Sequence, residues 1–118
     1  MRIARNKINA VLDRQIKKTF IQLICDINNP EEAEVFIKHF FTDQEIDMFS
    51  KRLAVAYWLK NKRNYSNIRE NLKVSSATIS AIQKSMEREG FKLALKKVDA
   101  DEWAEKWSKR IEKLISKK

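Results

Sequence analysis

The side chains able to do chemistry fall into a few short clusters, and most of them fail the tests that chemistry sets. Ser75, Ser76 and Ser80 are hydroxyl nucleophiles in name only, because no histidine or oxyanion-binding loop accompanies them. The single cysteine, Cys25, and the single histidine, His39, are too few for a structural zinc site. Cys25 lies on an apolar helix face and reads as a small buried hydrophobe. His39, beside Phe40, reads as a partly buried structural residue. Asp43, Glu45 and Asp47 read as favourable helix-start charges rather than metal ligands. No enzyme, no metal and no cofactor are expected. What remains is a ring of cations, Lys60, Lys62, Arg63, Arg69, Lys73, Lys84 and Arg88, around the small-residue run Ser75-Ser76-Ala77.

The charge distribution sharpens that observation. The 118-residue chain carries a net charge of +9. Residues 1–59 hold 9 basic and 8 acidic side chains, and residues 98–118 hold 6 and 5. Residues 60–97 hold 10 basic and 3 acidic ones, so nearly the whole excess lies in one window. A solvated surface needs no such concentration, whereas a polyanionic partner does. No apolar run approaches the roughly 20 residues that span a bilayer. The N-terminus lacks the unbroken apolar block of a secretory signal. A soluble, cytoplasmic protein is expected.

The elements that hold these residues read as helices. One glycine and one proline in the chain argue against sandwich, dinucleotide-binding and P-loop architectures, which need glycine-bearing turns. Residues 3–27 repeat Ile8, Leu12, Ile16, Phe20, Leu23, Ile24 and Ile27 at helical spacing. Asn28 and Asn29 end that helix and Pro30 opens a second, whose apolar face is Ala33, Phe36, Ile37, Phe40 and Phe41. Thr42 with Glu45 forms a capping box for a third helix, running to about Asn61. Ile46, Phe49, Leu53, Ala56 and Leu59 line one of its sides. Tyr57 and Trp58, like Trp103 and Trp107, fit a core at this spacing better than a base-stacking platform.

A short helix is predicted over Tyr65–Leu72, a tight connection at Lys73-Val74, and a further helix over about 76–88 capped by Ser75. Gly90 is expected to end that helix. Phe91, Leu93, Leu95 and Val98 alternate too briefly for a sheet. Asp99 with Glu102 then predicts the cap of a final helix bearing Trp103, Trp107, Ile111, Leu114 and Ile115. Two short helices across a tight turn make a helix-turn-helix, with Ile68, Leu72, Val74 and Ile79 holding the crossing. Its second helix opens on residues small enough to approach base edges in a major groove.

From about Phe40 to Lys97 the chain resembles the Trp repressor-like superfamily, and within it the YerC/YecD branch. The resembling stretches are FFTDQEIDMFSKRLAVAYWL, YSNIRENLKVSSATIS and GFKLALKKV. The resemblance implies an all-α, six-helix Trp repressor-like fold in an intertwined homodimer. It implies one domain over 1–118, with 1–60 and 99–118 as dimerisation helices and 64–89 as the helix-turn-helix. It implies a sequence-specific regulator that binds double-stranded DNA at paired half-sites. Ser76, Ala77 and Ser80 are then expected to face bases. Tyr65, Ser66, Arg69, Lys73, Lys84 and Arg88 are expected at phosphates or flanking bases.

The departures from the family concern its ligand pocket. Tryptophan-sensing members sandwich indole between two arginines, one on the third helix and one on the recognition helix. Arg52 matches the first. The second position falls on Ala81, and the next, small in tryptophan sensors, is Ile82. The resemblance therefore implies a vestigial pocket at Arg52, Ala81 and Ile82, and argues against L-tryptophan as effector. Lys73 stands where such turns often carry glycine, so a positive φ is expected there at modest strain. The competing reading is a helical interaction module whose basic face binds an acidic protein or RNA.

Overall fold

The computed structural model describes the backbone of residues 8–116 and, within that span, the side chains of all but 103–111, 115 and 116. Among the described residues there are six helices and no strand: α1 (Ala10–Asp26), α2 (Pro30–Phe40), α3 (Asp43–Lys60), α4 (Tyr65–Leu72), α5 (Ser76–Ser85) and α6 (Glu89–Ser116). They fall into two compact units, one ending at Asp43 and one starting at Gln44.

In the first unit both helices start on asparagine. Asn9 Oδ1 accepts from the backbone N–H groups of Val11 (2.8 Å) and Leu12 (3.3 Å), two donors that have no partner inside the helix. The predicted start near residue 3 is thus corrected to Ala10 for the described residues; positions 3–7 lie outside them. Asn29 caps α2 reciprocally, accepting from Glu32 N–H at 2.9 Å while its amide donates to Glu32 Oε1 at 3.2 Å. Pro30 occupies the first turn, where a missing N–H is harmless. Phe40 stacks on Phe20 of α1 at 5.9 Å between ring centroids, and Phe36, Phe40 and Phe41 pack on one another at 4.9–5.8 Å. Phe41 is the cap residue after α2 rather than part of its face. Neither helix buries a single residue. Ile16, Ile21, Ile24, Val35 and Phe40 are each between 47% and 63% exposed. Cys25 and His39, expected buried or half-buried, are exposed too, because the helix faces that carry them are uncovered within this unit.

The second unit has the core. Val55 and Ala56 of α3, Ile68 of α4, Ile79 and Ile82 of α5 and Leu95 of α6 are buried together. Tyr57, Trp58, Leu72, Val74 and Phe91 pack around them, as the helical spacing of the aromatic residues required. Residues 61–64 form the loop between α3 and α4. It folds back through hydrogen bonds from Lys62 to Leu59 (3.0 Å) and Arg63 to Trp58 (3.0 Å), and Lys62 takes a φ of 64°. The Arg63 guanidinium lies 3.9 Å from the centre of the Trp58 ring.

Three boundaries differ from the sequence reading, and they share a cause. α5 ends at Ser85, not residue 88, in a right-handed turn at Met86 (φ −64°, ψ −17°). Because this exit needs no left-handed residue, Gly90 is free to sit in the first turn of α6 instead of ending α5. An added Cβ at Gly90 would meet nothing within 4 Å. α6 then runs on for 28 residues. The apparent alternation at 91–98 is a helix face, with Leu95 buried, Phe91 and Val98 half-buried, and Leu93 57% exposed on the other side. Asp99 and Glu102 therefore cap nothing. Three residues apart inside α6, they meet α3: Lys60 pairs with Asp99 and the Tyr57 hydroxyl donates to Glu102. Of the expected face of the last helix, Leu114 is exposed, while the side chains of Trp103, Trp107, Ile111 and Ile115 lie outside the described residues.

Candidate nucleic-acid interface

The basic window, residues 60–97, runs from the end of α3 through α4, its turn and α5 into the first turns of α6. Asn64 caps α4 by accepting from Asn67 N–H at 2.8 Å. The helix ends at Lys73, whose φ and ψ of 56° and 48° are left-handed and whose N–H still reaches Arg69 O at 3.0 Å. That one residue reverses the chain direction. Ser75 then caps α5, its Oγ accepting from Thr78 N–H at 3.1 Å. Ile68, Ile79 and Ile82 face inward and fix the crossing of the two helices. Burying isoleucine at each contact is worth roughly 2–3 kcal/mol per side chain.

The opposite face is polar and open. At about 100° per residue, Ser76, Ser80 and Gln83 share one side of α5, with Ala77 and Lys84 at its edge. Ser76, Ala77, Gln83 and Lys84 are exposed and Ser80 is half-buried. From α4, one turn apart, Tyr65 and Arg69 reach this face. Arg69 donates to Ser76 Oγ at 2.7 Å and to Ser66 Oγ at 3.3 Å. The Tyr65 hydroxyl donates to Gln83 Oε1. The helix pair is thus pinned by its apolar underside and by two polar clasps on top. Gln83 is not among the residues that the sequence alone singles out for this face; its position seven residues after Ser76 is the signal that places it there.

Arg52, Ala81 and Ile82 do come together. They line a cleft of about 580 Å³ between α3 and α5, with Met48, Thr78 and Phe91 among its other walls. Ala81 supplies no charge, but Arg88, from the turn after α5, lines the same cleft. Arg52 and Arg88 also border a smaller apolar groove of about 370 Å³ against Phe49, Leu53 and Leu95. Arg52 itself sits 5.4 Å from the Phe49 ring centre. Arg88 is thus placed at the clefts, farther along the chain than the reading face of α5.

The family model for the Trp repressor protein matches residues 15–99. The chain belongs to this family, whose members are helix-turn-helix DNA-binding regulators rather than enzymes. Comparison with curated protein sequences finds no match. Among the described residues no helix is long and apolar enough to cross a membrane, and no group of His, Cys, Asp or Glu could hold a metal ion.

Proposed function

We propose that the chain is a sequence-specific regulator of transcription that binds double-stranded DNA in the cytoplasm as a homodimer, with α5 as recognition helix. The observation that carries this reading is the exposed polar face of α5 (Ser76, Ala77, Lys84), flanked by Arg69 and Lys73, inside the one window of the chain with a large cationic excess. In it, Ser76, Ala77 and Ser80 approach bases, Ser66, Arg69, Lys73 and Lys84 hold phosphates or flanking bases, and Tyr65 lies beside the flanking bases. The uncovered apolar faces of α1 and α2 support the dimer, since isolated helices with no buried residue need a partner surface. The resemblance to the YerC/YecD branch agrees with it. Ala81 and Ile82 at the cleft support a regulator that ignores L-tryptophan.

Selection from randomised duplexes, followed by anisotropy titration of the enriched sequences, tests the reading. A palindrome with half-sites about one helical turn, roughly 34 Å, apart is the expected product. Sedimentation should give a dimer. L-Tryptophan should leave the affinity unchanged. Lys84→Ala should flatten the salt dependence by about one unit in every sequence context. Weak, salt-sensitive binding without an enriched motif would instead support an acidic protein or RNA partner.

A further inference from the structure

The two polar clasps decide more than the angle between helices. A serine hydroxyl and a glutamine amide can each donate or accept, so on a bare helix either could read several bases. Here both have a donor from α4 pressed against their oxygen. Arg69 is a cation with only N–H groups to offer, so the Ser76 hydroxyl proton must point away from it, toward solvent. Tyr65 places its proton on Gln83 Oε1. With Oε1 engaged by Tyr65, the NH2 of the exposed Gln83 is the part of the amide left to meet a ligand. A bidentate contact with adenine needs the amide oxygen and nitrogen side by side facing the base, and the Tyr65 clasp breaks that arrangement.

We propose that Tyr65 and Arg69 set the hydrogen-bond polarity of the reading helix, so that Gln83 and Ser76 meet DNA as donors and select acceptor edges. For Gln83 the best-matched base is guanine, whose N7 and O6 are both acceptors, over adenine, whose N7 acceptor lies beside the N6–H2 donor. For Ser76 it is guanine or thymine O4. Gln83 becomes a specificity-determining residue, and Tyr65 a positioning residue that acts through it. This rests on the reading of α5 as a recognition helix.

The test is selection from randomised duplexes with the full-length chain and three variants. Gln83→Ala identifies the base pair that Gln83 reads, as the position whose preference it erases. The wild-type chain should show guanine there. Tyr65→Phe keeps the ring that packs on the core but frees Oε1; the preference for guanine over adenine at that position should fall about tenfold. Gln83→Glu keeps an oxygen for Tyr65 and replaces the NH2 donor by an acceptor, so the preference should move to cytosine, whose edge offers N4–H. Adenine at the wild-type position, or an unchanged preference in both Tyr65→Phe and Gln83→Glu, overturns the polarity assignment while leaving DNA reading intact. Failure of the wild-type chain to enrich any motif overturns the underlying reading, and this one with it.

Discussion

Lys73 offers a clean measurement of what the turn costs. Its φ and ψ of 56° and 48° lie at the centre of the left-handed region. A residue with a Cβ is disfavoured there by about 1–2 kcal/mol. Glycine escapes that penalty but loses more chain entropy on folding, by about 0.5–1 kcal/mol. Lys73→Gly should therefore be more stable than Lys73→Ala by about 0.5–1 kcal/mol, or about 3 °C in unfolding midpoint for a chain of this size. The alanine variant is the right reference, since it removes the same charge and stem yet keeps the Cβ. Neither change touches the Lys73 N–H bond to Arg69 O, which belongs to the backbone. Thermal unfolding followed by circular dichroism at one protein concentration reads the difference. A glycine variant that melts at or below the alanine variant would refute the strain assignment. Lys62, with a φ of 64°, provides a second instance of the same comparison.

Three other outcomes follow from the second unit. Ile79→Ala removes a fully buried side chain at the crossing of α4 and α5 and should cost about 3 kcal/mol in urea unfolding, with loss of any DNA binding that tracks the unfolded fraction. Arg63→Ala removes the guanidinium over Trp58 and should cost about 1 kcal/mol, with a change in Trp58 emission that Arg63→Lys only partly restores. The hydrogen bond to Glu102 raises the Tyr57 hydroxyl pKa above its ordinary value, so the folded state holds that proton more tightly than the unfolded chain. Its contribution is complete below about pH 10 and fades as pH rises through the raised value. Tyr57→Phe should flatten that alkaline loss in a stability–pH profile.

Most of the second unit was legible because its signals are local. Asn64, Ser75 and the helical spacing of Ile68, Leu72, Ile79 and Ile82 specify α4 and α5 within the chain itself, and both were placed at or near their observed bounds. The errors cluster where two local signals compete. Gly90 and the Asp99–Glu102 pair each carry the residue types of a helix end, yet both lie inside α6. The roles of Asp99 and Glu102 are set by α3, through Lys60 and Tyr57, which are about forty positions away in sequence. Cys25 and His39 were misjudged for a related reason. Apolar spacing shows which face of a helix seeks cover, but not whether the same unit supplies it. In the candidate site, Ser76, Arg69 and Tyr65 were found by residue type, whereas their mutual bonds and Gln83 needed the crossing of two helices to become visible.

The glycine that did not end a helix has a mechanical consequence. Gly90 needs neither its small size nor a positive φ where it stands. Its remaining effect is on stiffness, because a glycine makes a helical turn easier to unwind by about 1 kcal/mol relative to alanine. It is the second residue of the 28-residue α6, which follows residues 86–88, the short link from the clasped helix pair. The chain's sole glycine thus makes the first turn of α6 easier to unwind than the turns that follow, up to the buried Leu95. Gly90→Ala would fit sterically and stiffen that turn, raising thermal stability.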